Sequence, residues 1–156
     1  MGGKGPLDGT PWVDQVDTSY LESLLGYNAR RASLAVIGRF MERMAPYGLR
    51  PVDFSVLSLV AHNPGITSRQ LCATLGILPP NLVGLVAALE KRDLLTRLPH
   101  PRDGRAMGLH LTPAGHAFIQ AAEQTAAQLE AEAASALTAA EQKTLIRLLK
   151  KVYQAD

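Results

Sequence analysis

Closely spaced helix start and stop signals in the middle of the chain most constrain how this sequence can fold. Pro51 suits the first turn of a helix that ends before Asn63-Pro64-Gly65, because the residue preceding a proline avoids the helical region. Thr67-Ser68-Arg69-Gln70 is a capping box that opens a short helix, and Gly76 ends it. Pro79-Pro80-Asn81 opens the next helix. Its apolar residues recur at helical spacing: Leu82, Leu85, Val86 and Leu89.

Two short strand-like runs follow this helix pair. They are 94–98 and 107–111, and the stretch that joins them contains Pro101, Asp103 and Gly104. The pattern predicts a β-hairpin with a basic tip. Two short helices with a tight turn, followed by such a hairpin, indicate a winged helix-turn-helix whose second helix enters a DNA major groove.

Long helices are predicted on both sides of this region. Apolar residues at three- and four-residue steps predict one long first helix over 19–46. Thr112-Pro113 opens an alanine-rich helix that runs to about Ala136. A second capping box, beginning at Thr138, opens a last helix that runs to about Tyr153.

The predicted fold class is therefore mainly α with a small β-hairpin wing. Residues 1–18 are rich in Gly, Pro and Asp and are predicted to form an extended or mobile arm, in which Trp12 needs a place to bury. We assign 47–111 to a winged helix-turn-helix DNA-binding region, and both 19–46 and 112–156 to a helical dimerisation region. The long helices carry more apolar surface than a winged domain can cover, which predicts a dimer.

Composition excludes several classes of function. The single cysteine, Cys72, allows neither a disulfide framework nor a Cys-x-x-Cys zinc site, and we expect it to be a small buried hydrophobe. Without a signal peptide or an apolar run of about 18 residues, a cytoplasmic protein that does not enter a membrane is expected. The four histidines lack metal-ligand spacing and no catalytic motif is present. We expect neither an enzyme, a metal site nor a cofactor.

Positive charge is concentrated in the middle of the chain. The net charge of the whole sequence is +2, whereas residues 66–112 alone carry a net +3. The charged side chains of that segment are Arg69, Lys91, Arg92, Arg97, Arg102 and Arg105 against Glu90, Asp93 and Asp103. A basic segment suggests a polyanionic partner such as DNA.

Three motifs now stand in an order and at a spacing that resemble the MarR family of transcriptional regulators. Residues 89–95 read LEKRDLL, residues 103–105 read DGR and residues 111–115 read LTPAG. The resemblance extends from about Ser19 to Tyr153. It implies an obligate homodimer that interleaves its first and last two helices, binds a pseudo-palindromic double-stranded DNA operator and releases it for a small-molecule effector.

The sequence departs from the family pattern at two positions that concern the DNA contact. Pro79-Pro80 stands where the family commonly has Ser or Thr, and this removes two backbone donors and two hydroxyls. Asp93 stands where the family usually has glycine, and nothing in the sequence accounts for it. With few polar groups on the recognition helix, we expect much shape and phosphate reading.

Asn81 is expected to be the main polar reader of bases. Its amide can bond adenine N6 and N7 together, while Gly84 and Ala88 leave room for close backbone approach or for a thymine methyl. Phosphate contacts are expected from about half of the remaining cations, whose alternative role is a solvated surface charge: Arg69, Lys91, Arg92, Arg97 and Arg102.

The wing tip offers two interpretations. Arg105 is expected to enter the adjacent minor groove, where narrow A-tracts concentrate negative potential, with Asp103 orienting it. The alternative is a solvated turn in which Asp103 caps the backbone and Gly104 supplies a positive φ.

The resemblance places an effector cleft between the first, second and fifth helices. The polar side chains offered there are Asn28, Arg30, Arg31, Arg39 and His62. An arginine on an apolar helix can bind a carboxylate bidentately, so the expected effector is an aromatic carboxylate or its CoA thioester. Inter-subunit salt bridges are the alternative for these residues. Two other functions stay open: an effector-free architectural DNA binder and a helical protein-interaction module.

Overall fold

The computed structural model of the chain describes Gly9 and residues 11–154, so parts of the predicted arm (1–8 and 10) and of the last region (155–156) lie outside the described residues. The helices are α1 (Ser19–Glu22), α2 (Leu25–Met44), α3 (Pro51–His62), α4 (Ser68–Leu75), α5 (Pro79–Lys91), α6 (Pro113–Ala133) and α7 (Ala139–Tyr153), with a 3-10 turn at Ala45–Tyr47. The strands are β1 (Ile66–Thr67), β2 (Leu95–Pro99) and β3 (Met107–Leu111). The chain divides into two compact units, Met1–Leu34 and Ala35–Asp156.

The predicted winged helix-turn-helix and the mainly α fold class are confirmed. Helices α4 and α5 are the short pair, and β2 and β3 form the wing. Together with α3 and α6 they share one hydrophobic core. Its most deeply buried side chains include Leu57, Leu71, Leu82, Leu109 and Leu129. Cys72 is half-buried and packs against this core, close to the expected role of a small hydrophobe.

The wing belongs to a three-stranded antiparallel sheet rather than to an isolated hairpin. The strand order is β1-β3-β2, with Ile66 opposite Leu109 in the first pair and Leu95 opposite Leu111 in the second. The sequence did not predict β1, because a strand of two residues is too short to show alternation.

The first helix is interrupted, so the prediction of one continuous helix from residue 19 is wrong. Side chains satisfy the backbone carbonyls at the break: Ser23 Oγ donates to the Tyr20 carbonyl at 2.6 Å. Asn28 Nδ2 donates to the carbonyls of Glu22 at 2.7 Å and Leu24 at 2.8 Å. Such local bonds compete with the helical ladder, and apolar periodicity alone does not register them.

Gly115, in the LTPAG motif, is where α6 meets the chain that leaves α5. A Cβ at this position would lie 2.1 Å from the Leu94 carbonyl oxygen, and Gly115 itself is buried. Thr112 supplies the predicted N-cap, because its hydroxyl accepts from the Gly115 amide at 2.9 Å. Helix α6 ends at Ala133, three residues before the predicted end.

Helix α7 begins at the predicted capping box and presents an apolar stripe to solvent. Thr138 Oγ1 accepts from the Glu141 amide at 3.2 Å, and Glu141 accepts from the Thr138 amide at 2.8 Å. None of its residues is buried. Among the described residues no single helix is long and apolar enough to cross a membrane; α4 and α5 reach that length only together, across a 116° bend.

Candidate DNA-binding surface

Helix α5 is held by one face and exposes the other. Leu82, Val86 and Leu89 are almost fully buried, so the helix cannot rotate about its axis without losing its core contacts. Asn81, Gly84 and Ala88 are all exposed on the opposite side, which is the side expected to contact DNA. The helix packs against α4 and against β2 of the wing.

The start of α5 lacks the donors that usually make a helix N-terminus attractive to phosphate. Pro79 and Pro80 occupy its first turn, and Leu78 at the N-cap makes no side-chain cap. Two of the four terminal N–H groups are therefore absent. Polar contacts from this end of the helix rest on Asn81.

Helix α4 presents Arg69 in its first turn. The capping box predicted from the sequence is present, since Thr67 Oγ1 accepts from the Gln70 amide at 3.2 Å and Gln70 Oε1 accepts from the Thr67 amide at 3.0 Å. Arg69 is exposed next to this cap. Within the described part of the chain it makes no ion pair, which leaves its guanidinium available to a phosphate.

The wing tip is an ordered turn that exposes two arginines, Arg102 and Arg105. Asp103 Oδ1 accepts from the Arg105 backbone amide at 3.0 Å, and the Asp103 carbonyl accepts from Ala106 N at 3.0 Å. Asp103 thus stabilises the backbone of the turn, and this hydrogen bond reaches the Arg105 amide rather than its guanidinium. Gly104 is not among the described glycines with positive φ, so that part of the alternative interpretation is wrong.

Two of the predicted phosphate ligands are engaged within the protein. Arg97 on β2 donates to Glu90 at 2.8 Å from Nε and 3.2 Å from Nη2, which ties the wing to the end of α5. Arg92 donates to the carbonyls of Tyr47 at 2.6 Å and Gly48 at 3.3 Å. The carbonyls that hold Arg92 lie more than forty residues away along the chain, and Glu90 is brought to Arg97 by the packing of β2 against α5, so sequence spacing indicates neither partner.

The end of α5 explains why the family motif usually carries glycine at the position of Asp93. Leu94 N donates to the Leu89 carbonyl at 3.1 Å and Asp93 N donates to the Glu90 carbonyl at 2.9 Å, the pattern of a Schellman motif. Asp93 has a φ of 58°, the left-handed conformation that this motif requires. Its carbonyl also accepts from the Thr112 hydroxyl at 2.5 Å. Aspartate occupies a backbone conformation that glycine adopts with less strain.

A buried carboxylate anchors the start of α3. Asp53 is 7% exposed and accepts from Arg50 N at 2.9 Å and from Arg50 Nε and Nη2 at 3.0 Å. Burial raises the pKa of Asp53, but hydrogen bonds from the side chain and backbone of Arg50 and attraction to Arg50 and Arg92 outweigh it and lower that pKa. Its contribution to stability is present above the ordinary carboxyl pKa of 3.8 and is lost only as the pH falls below it.

The residues predicted to bind an effector have different surroundings. The Asn28 side-chain amide already donates to two carbonyls at the break between α1 and α2. His62 Nε2 lies 2.9 Å from Glu123 Oε1, which also accepts from Ser58 Oγ at 2.8 Å. The sequence pointed to neither Ser58 nor Glu123; the four-residue spacing of Ser58 and His62 on α3 was the available signal.

The three arginines proposed to bind an effector are all on α2 and all exposed. Arg30 and Arg31 belong to the first compact unit, and Arg39 belongs to the second. In the described part of the chain none of them makes an ion pair. No group of three His, Cys, Asp or Glu side chains there could hold a metal ion.

A short helix pair with an outward second helix, followed by a wing with an arginine-bearing tip, defines a winged helix-turn-helix DNA-binding protein. Comparison with known proteins narrows this class. Residues 47–106 match the model of the MarR family. A transcriptional regulatory protein named for the hcr operon of Thauera aromatica is 31% identical over 133 residues, which cover 85% of this chain and 80% of that protein. The chain belongs to the MarR family.

Solved structures agree with this assignment. The transcriptional repressor CouR bound to a 23-mer DNA duplex superposes with a TM-score of 0.84 at 35% identity, covering 90% of this chain and 99% of that one. CouR bound to p-coumaroyl-CoA gives a TM-score of 0.80 at 34% identity, over 91% of this chain and all of that one. The protein is a MarR-family transcriptional repressor, and its relatives are regulators rather than enzymes, as the sequence predicted.

Proposed function

We propose that this chain is a ligand-responsive repressor that binds a pseudo-palindromic operator as a homodimer and leaves it when a small aromatic acid, or its CoA thioester, binds. One observation carries the DNA-binding part. Helix α5 exposes one face and packs against both α4, which presents Arg69, and the wing, which presents Arg102 and Arg105. A helix supported in this way can enter a major groove while cations on both sides meet phosphates.

The arginines divide by their surroundings into two groups. Arg69, Arg102 and Arg105 are exposed without an ion-pair partner in the described residues, and we assign them to DNA. Arg105, at the wing tip, is assigned to the minor groove. Arg97 is held by Glu90 and contributes less to DNA affinity, because a guanidinium that already has a carboxylate partner releases fewer counterions on binding.

Dimerisation supplies the second recognition helix. The apolar stripe of α7, which the protomer leaves exposed, contains Leu145, Leu148, Leu149 and Val152. A large exposed apolar stripe marks an interaction surface, and a two-fold axis places the two α5 helices in half-sites about one helical turn apart.

Selection from a random duplex pool, followed by anisotropy titrations at several salt concentrations, tests DNA binding. The wild type is expected to select a two-fold site and to weaken steeply with salt. Arg105→Ala removes one positive charge from the DNA-binding surface and should lower the salt slope by about 0.9. Arg147→Ala on α7 removes the same charge and should leave the slope unchanged. A protein that shows no salt-dependent duplex binding would contradict the proposal.

Asn81→Ala tests base reading separately from charge. If Asn81 bonds an adenine, its loss should cost roughly 1 to 3 kcal/mol on the selected site and relax preference at one base pair only. Equal losses on the selected site and on random duplex would contradict base reading by Asn81.

The effector assignment rests on charge and on the relatives. Arg30, Arg31 and Arg39 are exposed guanidinium groups on a helix that also carries apolar side chains, so they suit a ligand with an apolar ring and an anionic group. The repressor CouR, 34% identical to this chain, binds p-coumaroyl-CoA, an aromatic acid thioester, in its solved structure. Both considerations favour the same ligand class.

A panel of benzoates, hydroxycinnamates and their CoA thioesters tests this assignment. At least one compound should raise the melting temperature and dissociate the operator complex, and operator should weaken its binding reciprocally. Among the alanine variants of Arg30, Arg31 and Arg39, the one that removes the arginine holding the anion should weaken binding of that compound by about tenfold or more, since a charge-assisted bond contributes about 1.5 to 3 kcal/mol. Changes below about twofold at all three would contradict the arginine anchor. Lys143→Ala on α7 is the matched control, which removes one positive charge and should leave binding of the compound unchanged.

A further inference from the structure

Arg92 is one of the residues that attach the end of the recognition helix to the rest of the second compact unit. It is the C-cap residue of α5, and its guanidinium extends away from the exposed face of that helix to the turn before α3. There Nη2 donates to the Tyr47 carbonyl at 2.6 Å and Nη1 donates to the Gly48 carbonyl at 3.3 Å. Two carbonyls from successive residues thus hold one planar group.

The same guanidinium also rests on α6. Its central carbon lies 5.1 Å from the centre of the Phe118 ring, a cation–π distance. Phe118 meets Tyr47 edge to face, with ring centres 5.6 Å apart, and the Tyr47 hydroxyl lies 3.0 Å from Thr125 Oγ1, also on α6. Arg92, Tyr47 and Phe118 therefore form a cluster, the Arg92 joint, that connects α5 to α6.

We infer that the Arg92 joint sets the angle of α5 relative to α6 and thereby fixes which spacing of operator half-sites the dimer accepts. The inference rests on the proposed binding of a two-fold site. A dimer meets two half-sites only if its recognition helices are held at the matching separation of about 34 to 36 Å. The Arg92 joint connects the recognition helix to a helix of the predicted dimerisation region, so loosening it should widen the range of spacings bound.

This role differs from the phosphate contact expected for Arg92 from its charge. A guanidinium that donates to two protein carbonyls and lies over a ring already has protein partners, although Arg92 as a whole is exposed. Lysine cannot replace it, because an ammonium has neither the planar fork nor the flat face. Lys91, the adjacent cation, is exposed and makes no ion pair in the described part of the chain, which makes it the matched control.

The experiment compares affinities for duplexes that carry the selected site with its natural spacing and with one base pair inserted or removed at its centre. Wild-type protein and Lys91→Gln should both prefer the natural spacing strongly, and Lys91→Gln should lower the salt slope by about 0.9. Arg92→Gln should reduce the preference for natural spacing at least fivefold while its salt slope stays that of the wild type. Arg92→Lys should not restore the preference.

Phe118→Leu provides a second variant that changes no charge. It removes the ring beneath the guanidinium, keeps an apolar side chain on α6, and should also reduce the spacing preference without altering the salt slope.

A lower salt slope with an unchanged spacing preference in Arg92→Gln would overturn the inference and restore the phosphate contact. If the Arg92 and Phe118 variants only had lower melting temperatures, with unchanged salt slope and spacing preference, the Arg92 joint would be a stabilising contact and the inference would also be overturned. Wild-type protein that binds all spacings equally would contradict both the proposed pair of half-sites and the inference. The outcomes named for the Arg92 and Phe118 variants would overturn the inference alone, because the wild type would still bind its two-fold site.

Discussion

Helices α5 and α7 carry the same kind of apolar stripe, but only one of them is buried by the chain itself. In α5 the stripe residues Leu82, Val86 and Leu89 are at most 2% exposed. In α7 the equivalent residues Leu145 and Leu148 are 44% and 46% exposed. An apolar stripe therefore predicts that a surface will be covered, but it does not say whether the covering surface lies in the same chain.

The largest effect is expected from truncating the stripe of α7. Leu145→Ala with Leu148→Ala should weaken dimerisation by orders of magnitude, since each buried leucine contributes about 2 kcal/mol or more to the surface it packs against. Arg147→Ala with Lys150→Ala, at the same three-residue spacing on the other side of α7, should leave the dimer intact. Sedimentation at micromolar concentration measures this, and a dimer unaffected by the leucine pair would contradict the assignment of α7 to the interface.

A smaller but still large effect, on the free energy of unfolding, is expected within the protomer, where α6 packs against the residues that follow α5. Gly115→Ala would place a Cβ 2.1 Å from the Leu94 carbonyl oxygen, so the backbone must shift, at a cost of about 3 kcal/mol in the free energy of unfolding.

Gly84→Ala is the control for that substitution. Gly84 is also helical, but a Cβ there has no neighbour within 4 Å, so alanine should stabilise α5 by up to about 1 kcal/mol. Urea unfolding at fixed protein concentration compares the two variants. Equal destabilisation by both would show that helix propensity, rather than the contact with Leu94, decides the result.

The smallest effect is expected at the end of α5, and its sign is opposite. Asp93→Gly should raise the free energy of unfolding by about 1 kcal/mol, because glycine adopts the left-handed conformation at a φ of 58° with less strain. Gly76→Ala, at a φ of +64° with open space around it, makes the reverse change and should destabilise the protein by a similar amount. A destabilised Asp93→Gly variant would mean that the aspartate side chain contributes more than its backbone strain costs.

Local signals explain which parts of the fold could be predicted. Helices α4, α6 and α7 begin at capping residues and α5 begins at paired prolines, and these signals act within three or four residues. The break between α1 and α2 was missed, because it depends on the Asn28 amide reaching two carbonyls. The strand β1 was missed because it pairs with β3, more than forty residues further along the chain.

The candidate site divides in the same way. Charge counting identified the basic segment and the wing tip, but it treated Arg69, Arg92 and Arg97 as equivalent cations. They are not equivalent in the fold, because Arg97 is paired with Glu90 and Arg92 is held by carbonyls more than forty residues away. A cation's partner depends on which carboxylate or carbonyl the fold brings next to it, and sequence spacing does not contain that information.

The sequence by itself determined that this chain is a winged helix-turn-helix protein with long flanking helices, because caps, prolines and apolar periodicity operate over a few residues. Only the tertiary structure decided that Gly115 must lack a side chain, that Asp93 adopts a left-handed conformation, and that the Arg92 guanidinium lies over the Phe118 ring. These outcomes depend on contacts between segments far apart in sequence, which form when the shared core assembles.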